Sequence, residues 1–127
     1  MTEPQAREII ENYLEGYNLF DVAGMLSCLH PAVVFENVTD GSVTLRTNGK
    51  DAFEAQATKA LALFMERNQS ILAICLNADC ARVDIKYFAI SAIDWPNGLK
   101  AGAILQLTGQ SVFTFRDGLI ASIQDIS

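Results

Sequence analysis

Clusters of positive charge are missing from this chain. Its 9 Lys and Arg are scattered among 15 Asp and Glu, for a formal net charge of −6. Phosphate-backbone binding depends on gathered cations, so nucleic acid is excluded as an expected partner. No apolar run approaches the roughly 18 residues needed to cross a bilayer, so no membrane partner is expected either. Histidine is almost absent. His30 is the only one, which excludes His-rich metal sites and any hydrolytic triad not built around that residue. Its place before Pro31, at the expected end of a helix, points to capping. Cysteine is scarce as well: Cys28, Cys75 and Cys80 are odd in number and form no CxxC. With no signal peptide ahead of Pro4, they read as reduced thiols of a cytoplasmic protein, and Cys75, in an apolar strand, reads as core filler. No repeat, linker or low-complexity stretch divides the chain, so one domain over residues 1–127 is expected.

What the chain has is apolar surface and a change of pattern half-way along. Half of its 127 residues are hydrophobic, and the mean hydropathy is +0.21. That is high for so short a soluble chain and points to a lined pocket or a subunit interface. Ile9, Ile10, Tyr13, Leu14 and Tyr17 recur at helical spacing and predict a helix over about residues 3–19. Val22, Met25, Leu26 and Leu29 continue in a short second helix capped by Asp21. Short strands are predicted over residues 33–38 and 43–47, with a turn at Asp40-Gly41. A D-x-x-E start at Asp51 and Glu54 opens a third helix with Phe53, Ala57, Ala60, Leu61 and Phe64 on its face. From Asn68 onward only strand signals occur. Long strands end near Ile93 and run over residues 99–115, with Gly102 and Gly109 as expected bends or bulges, and Asp117-Gly118 turns the chain into a last strand. Three helices ahead of a bent antiparallel sheet make an α+β domain in which the helices close the sheet into a cone. The outer sheet face, with Ile104 and Val112, would suit a homodimer.

The last strand, Leu119 to Ser127, carries an acid where alternation calls for an apolar side chain. Asp125 is expected on the face of Leu119, Ala121 and Ile123. A buried carboxylate is costly unless paired or protonated, and such groups concentrate where chemistry is done; the alternative is an Asp at a frayed strand end. On the first long strand, Ala81, Val83, Ile85, Tyr87 and Ala89 make a core face. That leaves Arg82, Asp84 and Lys86 on the wet side unless a bulge reverses them.

The order of elements, with Tyr13-Leu14-Glu15-Gly16-Tyr17-Asn18, Asp21-Val22-Ala23-Gly24-Met25-Leu26, Gly49-Lys50-Asp51-Ala52-Phe53 and Val112-Phe113-Thr114-Phe115-Arg116-Asp117-Gly118-Leu119-Ile120, resembles the nuclear transport factor 2-like superfamily over nearly the whole chain. That superfamily includes the SnoaL-like polyketide cyclases, ketosteroid isomerase and limonene-epoxide hydrolase, and its fold is the cystatin-like cone. The resemblance implies a cofactor-independent enzyme working by proton transfer or water addition on a hydrophobic small molecule. A non-catalytic ligand-binding or dimerisation module of the same fold is the alternative.

Carried over residue by residue, the isomerase's oxyanion-donating tyrosine is similar to Tyr13. Its base falls on Asn37 and its protonated aspartate on Ser111, and an amide cannot abstract a proton at neutral pH. The epoxide hydrolase's Asp-Arg-Asp site resembles Asp84, Arg82 and Asp125, with Asn37 as its water-positioning asparagine, while its tyrosine is Phe35 here. The cyclases' last-strand acid/base resembles Asp125, and the histidine two residues earlier is Ile123. The implied site is therefore Asp125 as acid/base, Asn37 and Tyr13 as positioners, Arg82 and Asp84 as weaker additions, and Ser111, Phe35, Tyr17 and Phe113 around the ligand.

Overall fold

The computed structural model describes residues 1–127. Helix α1 spans Glu3–Asn18. Thr2 and Gln5 form a reciprocal capping box at its start, and Pro4 occupies the first turn, where no N–H partner is lost. Its buried side chains are Ala6, Ile10, Tyr13 and Leu14. Helix α2, Val22–Leu26, is capped by Asp21, whose carboxylate accepts from the Gly24 N–H at 3.0 Å. The two helices cross at Gly16. A Cβ there would lie 2.9 Å from the Met25 nitrogen, so only glycine permits the approach.

Strands β1 (Leu29–Thr39) and β2 (Ser42–Asn48) follow, then helix α3 (Lys50–Ala60) and a single 3-10 turn, Leu61–Leu63. Strands β3 (Phe64–Asn77), β4 (Cys80–Ser91), β5 (Ile104–Arg116) and β6 (Leu119–Ile126) complete one curved, unclosed six-stranded sheet in the order β2-β1-β6-β5-β4-β3. The architecture is α+β.

Several local expectations change. The sheet is not wholly antiparallel, because β1 runs parallel to β6. The third helix follows the first two strands, as the order of signals in the sequence predicts. His30 is a strand residue whose Nδ1 accepts from the Ala32 N–H at 3.0 Å, so it caps no helix. Gly49, with φ +89°, precedes α3 without a side-chain cap, which leaves Asp51 inside the first turn to act on the helix dipole. Cys75 is exposed, because Ile74 and Leu76 take the inward positions of β3.

Bulges also lie elsewhere than expected. Gly102 belongs to the loop before β5, and Gly109 pairs with Ile85 in an unbroken β4–β5 ladder. The register shifts instead at Leu29/Val34, Phe64/Glu66, Ile71/Ala73, Asn37/Val38 and Thr114/Phe115. The last of these makes Ala121 the extra residue of β6, so Ile120, not Leu119 or Ala121, shares the buried face with Ile123 and Asp125. The core between helices and sheet contains Ile10, Leu14, Leu29, Val33, Phe53, Val83, Phe113, Ile120 and Ile123. No helix is long and apolar enough to cross a membrane.

Candidate active site

One row of residues crosses the concave side of the sheet: Val83, Ser111, Asp125, Asn37 and Leu45, paired in succession on β4, β5, β6, β1 and β2. Pairing in register brings their side chains to one level of the same face. Apart from Val83, they line a cavity of about 510 Å³. Its walls come from Tyr13 and Tyr17 of α1, Phe35, Phe53, Phe64, Ile85 and Tyr87. Trp95 closes one end. The loop after β4 folds back so that its indole N–H donates to the Ser91 hydroxyl at 2.7 Å and its ring lies 6.1 Å from that of Phe64. Exposed Thr39, Thr44, Leu107 and Ser127 mark the opening to solvent. A wider groove of about 840 Å³ runs along the outside of α1 and α2 past Glu8, Glu15, Asp21 and Asp117. Its polar side chains face solvent and converge on no reactive group.

Asp125 is surrounded by protein on all sides but the cavity. Burial pushes its carboxyl up to about 6, against the opposing effect of the Ser111 hydroxyl, which donates to Oδ1 at 2.7 Å. A carboxyl of this kind exchanges a proton near neutrality, as a general acid or base must. Asn37 sits directly beside it in the β1–β6 pairing. Tyr13, 4% exposed, packs edge-on to Phe113 with centroids 6.1 Å apart. Burial foremost, then the charge of Asp125, holds its hydroxyl well above the ordinary tyrosine range, so it stays a proton donor. The Tyr17 and Tyr87 hydroxyls share a hydrogen bond of 2.9 Å, and burial raises both pKa values.

Six residues singled out in the sequence thus reach one cavity: Asp125, Asn37, Tyr13, Ser111, Phe35 and Tyr17. Phe113 does not. It is 1% exposed and lies behind Tyr13 in the core. Arg82 and Asp84 are also elsewhere. With no bulge in the β4–β5 ladder they stay on the exposed convex face, where both bind the Gln110 side chain, at 3.2 and 3.3 Å. The Asp-Arg-Asp arrangement is therefore not formed.

One residue was missed. Arg67, 3% exposed, lines the cavity from β3. The strand starts at Phe64 rather than near Asn68, which places Arg67 on the inward face with Gln69 and Ile71. The signal available was alternation continued four residues further upstream.

The sequence pattern of the SnoaL-like domain matches residues 10–123. The chain belongs to the SnoaL-like family. The matched span stops two residues before Asp125, so the family match does not itself carry that residue. Among solved structures, this SnoaL-like chain is similar to a candidate polyketide cyclase from Xanthomonas campestris, with 20% identity over 98% of this chain and 90% of that one, and a TM-score of 0.81. TerC, crystallised with polyporic acid, shares 17% identity over 96% and 90%, with a TM-score of 0.78. An LEH-like epoxide hydrolase of M. tuberculosis shares 17% over 97% and 82%, with a TM-score of 0.77. Likenesses at such identities speak for the fold. No curated protein matches the sequence significantly.

Proposed function

We propose that this chain is one SnoaL-like domain over residues 1–127 acting as a cofactor-independent enzyme on a hydrophobic small molecule. In this reading the curved sheet and its helices form a cone, with the substrate in its interior. The observation that carries the proposal is the Asp125 carboxyl, raised to about 6 and facing a largely apolar cavity with Ser111 as its hydrogen-bond partner.

Asp125 as carboxylate takes a proton from a carbon acid or from an attacking water, and as carboxylic acid returns it to the developing oxyanion. Asn37 beside it orients the reacting oxygen or water through its amide. The Tyr13 hydroxyl, kept protonated by burial, donates to negative charge that builds up opposite. Phe35, Phe53 and Leu45 exclude water from the apolar body of the substrate. The reaction class is isomerisation, cyclisation or epoxide opening. The X. campestris and M. tuberculosis relatives carry names in that range.

The test is incubation with a panel of apolar ketones in heavy water and of apolar epoxides in oxygen-labelled water, read by mass spectrometry. Label should enter at least one substrate class with wild type and not with Asp125→Asn. Equal incorporation by a folded Asp125→Asn protein would remove the acid/base assignment.

A second reading, a non-catalytic ligand-binding module that dimerises, draws support from Ile104, 62% exposed on the same convex face as Val112. We infer a homodimer through that face. Sedimentation equilibrium of wild type and Ile104→Glu measures it, and the dimer is compatible with either reading. Three thiols without a disulfide agree with a reducing, cytoplasmic setting.

A further inference from the structure

Arg67 is a cation placed where no protein anion meets it. Its Nε donates to the Tyr17 carbonyl at 2.7 Å, near the end of α1, where the same oxygen also accepts from the Phe20 N–H at 3.2 Å. Nη2 is fully enclosed and has no acceptor. None of the ion pairs in the molecule involves this guanidinium. Two aromatic rings hold it instead, with Cζ 3.8 Å from the Tyr17 centroid and 4.5 Å from that of Phe20. The Phe20 ring is brought there by a left-handed backbone, φ +60°, unusual for an aromatic residue. Beside it, the Asn18 amide clamps Gln69 at both the backbone N–H and the carbonyl, at 2.7 and 3.2 Å. The position is thus fixed from three sides. Ring faces attract a cation but accept no strong hydrogen bond, so the guanidinium N–H groups stay undersupplied.

Asp125 does not supply the missing charge. It is neither paired with Arg67 nor hydrogen-bonded to it, and its only side-chain donor is Ser111. Both residues nonetheless line the same cavity, and Arg67 is its only cationic side chain.

We propose that Arg67 is the anion-recognition end of this cavity, and that the substrate is an apolar molecule bearing a carboxylate. The carboxylate takes the N–H groups of Nη1, the guanidinium nitrogen that is neither bonded to Tyr17 nor enclosed, the apolar body lies against Phe35, Phe53 and Leu107, and the reacting carbon comes to Asp125. A single guanidinium, with no lysine or second arginine in the lining, suits a monoanion better than a phosphate. This rests on the reading of the cavity as a substrate site and adds the substrate's chemical class to it.

Isothermal titration of the wild-type protein with naphthoate and with its neutral isostere naphthamide tests it. Naphthoate should bind at least about tenfold more tightly, the usual scale of one charge-assisted hydrogen-bond pair. Arg67→Gln should abolish the difference, and Arg67→Lys should keep part of it. The Arg67 Nε–H resonance should move on adding naphthoate and stay in place with naphthamide, a readout that needs no variant to fold. Equal affinities would make Arg67 a helix-end cap only, overturning the anion site while leaving the acid/base proposal standing. Failure of both ligands to bind would overturn both.

Discussion

Two carboxylates one residue apart in register, on opposite faces of the same strand pair, have opposite fates. Glu36 pairs with Gln124, and the next pair along is Asn37 with Asp125. On the convex face, Glu36 accepts from the Gln124 amide at 2.9 Å and from the Arg46 guanidinium, and these bonds hold its carboxyl below the ordinary range. On the concave face, Asp125 has a single hydroxyl donor and rises to about 6. The two sit on neighbouring strands in adjacent rows of the same ladder. What differs is that one side of the sheet supplies donors and a countercharge, whereas the other is left to the cavity.

The sharpest way to break this contrast is Asp125→Asn. Turnover should fall by about a hundredfold or more, the usual contribution of a general acid/base. Stability at neutral pH should rise or stay level. A carboxyl whose pKa is raised by folding destabilises the native state as pH climbs past its unfolded value near 3.8, and the penalty is complete above about 6. At pH 7 removing it should therefore return at most about 3 kcal/mol, two pKa units at 1.36 each. Denaturant titrations at pH 4 and pH 7 check this: the gain should be present at the higher pH and absent at the lower. A variant destabilised at pH 7 would mean that Asp125 is a structural carboxylate.

Glu36→Gln should do the reverse. Its depressed pKa contributes stability that is present above the unfolded carboxylate value and is lost as pH falls through the folded one, so the variant loses stability at neutral pH and catalyses normally. Thermal melts beside the label-incorporation assay separate the two effects. Ser111→Ala should push the Asp125 midpoint above about 6, because the hydroxyl is what opposes desolvation there; an NMR titration of the side-chain carboxyl carbon reads the shift. The smallest effect belongs to Arg82→Ala and Asp84→Ala. Both residues are exposed, and each variant should stay within about 0.5 kcal/mol of wild type with unchanged activity.

Much of this was readable in residue order where the physics is local. The stripe of Ile10, Tyr13 and Leu14 and the cap at Asp21 depend on spacings of three and four residues, and both appear in the fold. Asp125 was readable from its parity with Ile123. What local pattern could not reveal was the phase of a strand across a bulge. Ala121 shifts β6 so that Ile120 rather than Leu119 is buried, and the unbroken register of β4 keeps Arg82 and Asp84 outside. Alternation carried upstream from Ile71 and Gln69 reaches Arg67, but the start of the strand was hidden, because the end of α3 passes through a 3-10 turn directly into β3, without a Gly or Pro to mark the change. The parallel β1–β6 junction was hidden for another reason: partners so distant in the chain leave no mark on either sequence alone.

That junction has a kinetic consequence. Glu36 and Gln124 touch across a separation of 88 residues, whereas β3, β4, β5 and β6 are joined in sequence by antiparallel neighbours. Closing a long loop is entropically costly and slows the contacts that need it. The meander should therefore form first and dissolve last, with β1 docking beside β6 as a late event. Asn37 and Asp125 meet only when that event occurs, so binding competence would lag behind secondary structure during refolding, and amide exchange would be faster along the β1–β6 seam than along β4–β5.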